Sequence, residues 1–224
     1  MIQTPLIKST PWDATAFGIP TWELLEYSAA ALEQAAKTAG HYTLRVDPLA
    51  DKRLLHEHGF YYCDTLIEPY CNTIRLRAVR HPDATIAKEV DTERILAICH
   101  SAFSHGRFHR DFNLNRAAAD LRYVNWLKQM LETNQVYGLY WQGELAGFIG
   151  YSDNNLLLHA VAEKYRGKGL SKYWWSAVCI ELLANENETV KSSISAANLA
   201  VFQLYASLGF SFKNPQDVYH NLVP

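Results

Sequence analysis

The sequence predicts a mixed α/β protein, and three observations predict it. Segments with apolar residues at helical spacing alternate along the chain with short alternating or continuously apolar runs that read as strands. One such strand, 156–161, breaks into a basic, glycine-bearing turn and re-emerges as a helix. An order of strand, helix, Gly-Phe and strand also occurs twice, at 43–60 and at 193–210.

The elements follow from local chemistry. Residues 22–39 have helical apolar spacing and many alanines, and Gly40 ends the run. Residues 42–46 alternate like a strand, 49–58 read as a short helix closed by Gly59, and 60–70 and 73–79 are further strand candidates. His81-Pro82-Asp83 marks a boundary, because proline denies a strand hydrogen bond and its neighbours favour a turn. A strand at 85–90, a helix at 92–104, a polar loop at 105–115 and a longer helix at 116–132 come next. Residues 136–141, 144–151 and 156–161 are three successive strands, the first two joined at Gln142-Gly143. The last third repeats helix, strand, helix, strand.

Composition bounds the function. At 224 residues the chain buries a sizeable core, as one large domain or two small ones. With 49% hydrophobic and 20% charged residues it is of globular type. A formal charge of −2 supplies no global attraction to nucleic acid, so any polyanion contact is local. Cys63, Cys71, Cys99 and Cys179 form no Cys-x-x-Cys pair, which suggests reduced thiols and a cytoplasmic setting. No signal peptide is legible and no apolar run reaches about eighteen residues, so no membrane partner is expected.

The turn after the 156–161 strand is an anion cradle. Gly167 and Gly169 permit dihedrals and close approaches that a Cβ forbids, and they stand where free N–H groups and the positive end of a helix dipole meet a phosphate. Arg166 and Lys168 add charge there, although either could be a solvated residue on a turn. Together with the downstream segment from Asn198 through Tyr205 to Gly209-Phe210, this stretch resembles the GNAT acyltransferase superfamily. Arg166-x-x-Gly169-x-Ser171 is similar to that family's pyrophosphate loop, with Ser171 where glycine or alanine is usual, and the likeness covers roughly 84–224. Trp12-Asp13-x-x-x-Phe17-Gly18 and Ala102-Phe103-x-x-x-Arg107-Phe108 resemble, more narrowly, the TDP-fucosamine acetyltransferase group.

The resemblance implies a GNAT fold, a central mixed and mostly antiparallel sheet flanked by helices, with acetyl-CoA as cosubstrate and no metal. It implies cofactor binding by Ala160, Val161, Arg166, Gly167, Lys168, Gly169, Leu170, Ser171 and Asn198. The repeated order suggests that residues 1–80 are a partial, degenerate copy without a phosphate loop, and hence without a cofactor site, ahead of a transferase domain at 84–224. A Gly-Phe pair after a helix is also a common C-cap followed by a core aromatic.

Acetyl transfer to an amine needs a neutral nucleophile, a stabilised oxyanion and a protonated leaving thiolate. A backbone N–H near Ala160 or Val161, where the strand is expected to splay from its neighbour, would polarise the carbonyl, a donor worth about 3–4 kcal/mol. Tyr205 lies two helical turns after Asn198 on the same face, as the acid for the departing sulfur or as a core tyrosine beside Gly209-Phe210. Asn198 holds pantetheine amides, caps the helix, or does both. His159 shares a strand face with Val161 and is a candidate base, the alternative being a histidine bonded to a backbone carbonyl. The pair His105 and His109 invites a metal, but no second ligand cluster accompanies it.

In the family the loop around the first two helices covers the acceptor, which points to residues 104–115. Arg107 and Arg110 suit a phosphorylated or nucleotide-linked acceptor, and Phe108 and Phe112 offer apolar or stacking surface, unless they anchor an exposed loop into the core. The expected activity is N-acetylation of a small primary amine, a nucleotide-linked amino sugar foremost, by a monomer or homodimer. The rivals are acetylation of a protein N-terminus and a non-catalytic acyl-CoA-binding module.

Overall fold

The computed structural model describes residues 5–100, 102–103, 106–184 and 188–224. Its elements run β1 (Ile7–Ser9), α1 (Pro11–Phe17), β2 (Thr21–Leu24), α2 (Ala29–Ala35), β3 (Gly40–Val46), α3 (Arg53–Glu57), β4 (Tyr61–Asn72), β5 (Ala84–Ala87), α4 (Thr92–His100), α5 (Arg107–Arg110), α6 (Arg116–Glu132), β6 (Val136–Trp141), β7 (Glu144–Ser152), β8 (Asn155–Val161), α7 (Ser171–Ala184), β9 (Thr189–Ser192), β10 (Ile194–Ser195), α8 (Leu199–Ser207) and β11 (Ser211–Val223). A 3-10 turn at Glu163–Tyr165 joins β8 to the segment before α7. The architecture is mixed α/β, with a mixed, mostly antiparallel sheet flanked by helices.

The chain forms two compact units. The first comprises Met1–Leu66, His105–Arg122 and Pro215–Pro224, the second Ile67–Ser104 and Tyr123–Asn214. In the first, β2 lies parallel to β3 with Trp22 beside Tyr42, while β1 on β2 and β11 on β3 run antiparallel. Alternation along β3 sends Tyr42, Leu44 and Val46 into a core with Leu32, Leu55 and Phe60. The intervening His41 and Thr43 face the other way and are buried too, so both faces of this strand are covered.

In the second unit β4, β9, β8, β7, β6 and β5 are neighbours in that order, antiparallel except for the parallel pair β8 and β9. β7 is buried on both faces, as a strand covered by helices should be. One face packs Ile95 and Cys99 of α4 with Leu127 and Met130 of α6, and the other packs α7 through Trp174, Trp175, Val178, Cys179 and Leu182. α7 is apolar almost all round, which is the pattern of a buried helix. That burial makes it a rigid seat for the loop that precedes it.

Three expectations are corrected. Residues 22–39 are not one helix: Trp22 and Leu24 belong to a strand, and the Ser28 side chain, accepting from the Ala31 N–H at 3.2 Å, starts α2 only after it. Residues 73–79 are no strand, because Asn72 closes a turn by accepting the Arg75 N–H on its side chain at 3.0 Å. The segment expected as loop at 105–115 contains α5, and His105, like Ser104, lies outside the described residues. The strands expected at 136–141, 144–151 and 156–161 are β6, β7 and β8. His81-Pro82-Asp83 falls within the second unit.

The ends of α3 and α8 are made alike. Gly59 and Phe60 donate to the carbonyls of His56 and Leu55 at 3.1 and 2.9 Å, and Gly209 and Phe210 donate to those of Ala206 and Tyr205, both at 3.1 Å. Phe60 and Phe210 are then buried in separate cores.

Candidate active site

β8 leads into the cradle. Its parallel ladder to β9 consists of Asn155 beside Lys191 and Leu156 beside Ser192, after which the chain of β9 turns to β4 as β10. Residues 157–161 continue along β7 with one edge released. The Ala162 N–H bonds the Ala146 carbonyl at 2.8 Å, so by strand alternation Ala160 faces β7 and His159 and Val161 turn their backbone groups to the released edge. Of the two donors expected there, Val161 N–H has the right direction and Ala160 N–H does not. The Val161 carbonyl accepts from Arg166 Nε at 2.7 Å, which folds the loop back along that edge.

The loop is held at both ends and open between. Tyr165 donates its hydroxyl to Glu144 Oε2 at 2.7 Å, Lys164 pairs with the same carboxylate, and Trp174 Nε1 donates to the Tyr140 carbonyl at 2.8 Å. Gly167 and Gly169 have φ of +71° and +69°, the left-handed region that side chains resist, and a Cβ at either would meet open space. Among the described residues the first backbone donation after the loop is Tyr173 N–H to Leu170 C=O at 3.0 Å, so no backbone carbonyl accepts from the N–H groups of 167–172. Arg166, Lys168 and Gly169 are exposed, Leu170 and Val161 rest on the core, and Ser171 is the first residue of α7. Loop donors, two cations and a fourteen-residue helix beginning at Ser171 make a site that fits a diphosphate.

Asn198 caps α8, its Oδ1 accepting the Val201 N–H at 3.3 Å, and is exposed, so its amide N–H₂ stays available to a ligand carbonyl. The structure brings His159 and Tyr205 together around Trp175: the His159 ring lies 5.0 Å from the Trp175 ring and 6.4 Å from that of Tyr205. Tyr205 is fully buried beside Phe210, as a core tyrosine would be, yet no partner meets its hydroxyl in good hydrogen-bond geometry. Burial raises the Tyr205 hydroxyl well above its ordinary value, with Ser192 and Trp175 close enough to offset part of the rise, so it keeps its proton.

Burial also pulls the His159 imidazole down to about 4 and that of His220 to about 4, the latter against the opposing hydrogen bond that His220 donates to Asp111. Unfolded histidine titrates near ~6.5, so between that pH and about 4 the unfolded chain binds more protons than the folded one. Stability contributed by these neutral rings is complete above ~6.5 and is lost as the pH falls through the folded values. The thermal midpoint should therefore fall steadily from pH 6.5 to 5, above the range of ordinary carboxylates, and His159→Asn should flatten part of the slope. A level profile would show that the rings are hydrated.

The acceptor-side candidates belong to the first unit. Arg110 is paired through Nη1 with Asp64 Oδ1 at 3.0 Å, and Arg107 is partly buried with its guanidinium 4.7 Å from the Phe108 ring. Phe108 is not surface: it is 2% exposed, packed with Leu114, Ala119 and Phe17 and flanked by Arg122. Burial of so large a ring stabilises the segment by about 1.5–3 kcal/mol, and the ring left outside is Phe112 at 78% exposure. The Trp12-to-Gly18 motif is structural, since Asp13 pairs with Arg122 Nε at 2.8 Å and Phe17 packs on Phe108 at 5.4 Å.

One cluster had no signal in sequence. Asp111 is joined to His41 at 2.9 Å and to His220 at 2.7 Å, all three buried, with ligand atoms within 4.8 Å of one another. Separations of 70 and 109 residues hide it from any spacing rule. His109, weighed as a metal ligand, instead meets Asp120 through Nε2 at 3.0 Å, and His105 is outside the described residues. No disulfide joins the four cysteines, all of which are buried. No helix among the described residues is long and apolar enough to cross a membrane.

Similarity to known proteins agrees with this geometry. Over 136 residues the chain is 24% identical to the spore coat polysaccharide biosynthesis protein SpsD of Bacillus subtilis, a match covering 58% of this chain and 47% of that protein; the chain thus spans about half the length of the curated relative. A solved GCN5-related N-acetyltransferase from Sphaerobacter thermophilus superposes with a TM-score of 0.64 at 10% identity, covering 97% of this chain and 76% of that one. A tandem GNAT protein from the clavulanic acid biosynthesis pathway does so at 0.56 and 15% identity, covering 92% and 76%. Likeness at such identity concerns the fold. The model of the acetyltransferase (GNAT) domain matches residues 111–223, half of the chain and all of the cradle, and on that match the chain belongs to the GNAT acetyltransferase domain family.

Proposed function

We propose that the chain is an acetyl-CoA-dependent N-acetyltransferase whose acceptor is a small primary amine, specifically the amino group of a nucleotide-linked sugar. The observation that carries the reading is the released edge of β8 running directly into a loop with two left-handed glycines whose N–H groups no backbone carbonyl accepts from. A strand edge offers hydrogen bonds to an extended amide-bearing arm, and the loop offers them to a diphosphate at the arm's other end. Acetyl-CoA has both parts, and when bound it would supply the thioester.

In this reading 166–171 hold the diphosphate and Asn198 donates to an arm carbonyl. Val161 N–H, preset on a strand, polarises the thioester carbonyl as charge develops on its oxygen. His159 is neutral at pH 7, the form that accepts a proton, although a weakly basic one. Tyr205 retains its proton and delivers it to the departing sulfur. Arg107 and Arg110 carry the charge that a phosphorylated acceptor requires. The sugar acceptor draws support from the similarity to a protein named for polysaccharide biosynthesis. The matched endings of α3 and α8 support an origin of residues 1–80 as a partial copy of the fold without a cradle, ahead of a transferase domain at 84–224.

Thiol release from acetyl-CoA, measured against amino-sugar nucleotides, polyamines and peptides, tests the reading. Release with an amino-sugar nucleotide is expected. Release with peptides alone would make the chain an N-terminal acetyltransferase, and tight acetyl-CoA binding without release would make it a binding module.

A further inference from the structure

Three elements of the second unit converge on the Tyr205 hydroxyl: α7 through Trp175, α8 through Tyr205 itself and β9 through Ser192. All three side chains are buried. Ser192 is the last residue of β9 and stands beside Leu156 on the last rung of the ladder to β8, where the β8 edge is released. Its hydroxyl donates to the Leu156 carbonyl at 2.7 Å. The Trp175 ring lies 5.0 Å from that of His159, and its Nε1–H meets no acceptor in good geometry.

The donors and acceptors present give these contacts a direction. The Ser192 hydrogen is committed to Leu156, so toward Tyr205 the serine oxygen can only accept, while an indole can only donate. The phenol thus faces an acceptor with its hydrogen and a donor with its oxygen. Both contacts oppose the rise that burial imposes on the hydroxyl. Burial keeps the nearby His159 and Cys179 uncharged, so the imidazole brings no positive charge to the phenol and the thiol no negative one. An acid that gives up its proton in such surroundings needs dipoles already aimed at the charge it leaves behind.

We propose that Trp175 and Ser192 are positioning residues for Tyr205, arranged to hold the charge left on its oxygen when the proton departs. The Tyr205 O–H bond breaks as an S–H bond forms on the departing sulfur, and the electron pair stays on the phenol oxygen. Trp175 N–H then donates to that oxygen, and the Ser192 hydroxyl turns from the Leu156 carbonyl to donate to it as well. The proton given up by the attacking amine balances the one the phenol supplies. This role rests on the acetyltransferase reading above, and it gives the fork between β8 and β9 a chemical task.

The test places difluorotyrosine at position 205 of the full chain, because ring fluorines bring ionisation of the phenol into a measurable range. Fluorine NMR then follows that ionisation in the parent, in Ser192→Ala and in Trp175→Phe. Loss of either donor should raise the midpoint by roughly 1–2 pH units, the equivalent of one charge-assisted hydrogen bond. In chains that keep tyrosine at 205, either substitution should lower kcat roughly 10- to 100-fold while the KM for acetyl-CoA stays within about twofold. Ser192→Ala added to Tyr205→Phe should lower kcat no further. If Trp175→Phe does not fold, Ser192→Ala, which removes a single oxygen, carries the comparison. An unmoved midpoint would overturn the proposal, and a raised midpoint with parental kcat would overturn its part in turnover. A further loss in the double variant would make Ser192 structural. A parent protein that releases no thiol with any amine would sink the acetyltransferase reading and the catalytic role with it, while the midpoint still decides whether the two donors hold the phenolate.

Discussion

Gly169→Glu is expected to remove measurable acetyl-CoA binding. The position has φ of +69° and faces open space, so a longer side chain enters the cradle rather than the core. A carboxylate there stands among the loop N–H groups proposed to meet a diphosphate, and placing like charges together costs several kcal/mol, or a loss of more than about 100-fold in affinity. Gly169→Asn separates charge from backbone strain, because asparagine tolerates the left-handed region and carries no charge. Calorimetry should show binding retained within about tenfold in Gly169→Asn and absent in Gly169→Glu. Equal affinity in all three proteins would sink the assignment of the cradle.

Tyr205→Phe is expected to reduce turnover roughly 10²–10⁴-fold, the usual worth of a positioned acid, with little change in stability. The ring is fully buried against Phe210, and phenylalanine keeps that packing. The deleted hydroxyl has only Ser192 and Trp175 beside it, neither in good hydrogen-bond geometry, so its removal should change the thermal midpoint little. Turnover measured with saturating acetyl-CoA beside a melting curve distinguishes the roles. A turnover near that of the parent would leave the tyrosine as core and pass the proton to water or His159. A lowered midpoint with proportionate loss of activity would likewise make the residue structural.

The cradle was legible in sequence because its chemistry is local. Strand, glycine turn and helix follow one another within about sixteen residues, and the demand for left-handed backbone at 167 and 169 is written in the residue type. The strands β6, β7 and β8 were legible for the same reason, since alternation and the Gln142-Gly143 turn act between neighbours along the chain. The segment 22–39 misled because Trp22 and Leu24 match a helical pattern by spacing, whereas Trp22 pairs with Tyr42 of β3, some twenty residues away, and Leu24 with Ile7 of β1. Phe108 misled similarly: a phenylalanine among polar residues looks like loop surface, and its burial depends on Phe17 and Arg122 from distant segments.

Local backbone preference thus settled where the two left-handed glycines lie, which helix follows them and that Asn198 begins α8. Tertiary structure decided the rest, because the deciding interactions join residues far apart in the chain. Release of the β8 edge depends on where its ladder with β9 stops and the chain turns toward β4. The burial of Tyr205 depends on packing by Trp175 and Phe210. The Asp111 cluster needs β3, β4 and β11 to bring His41, Tyr61 and His220 to one carboxylate, and a buried charge finds its donors by folding, whatever their distance in sequence.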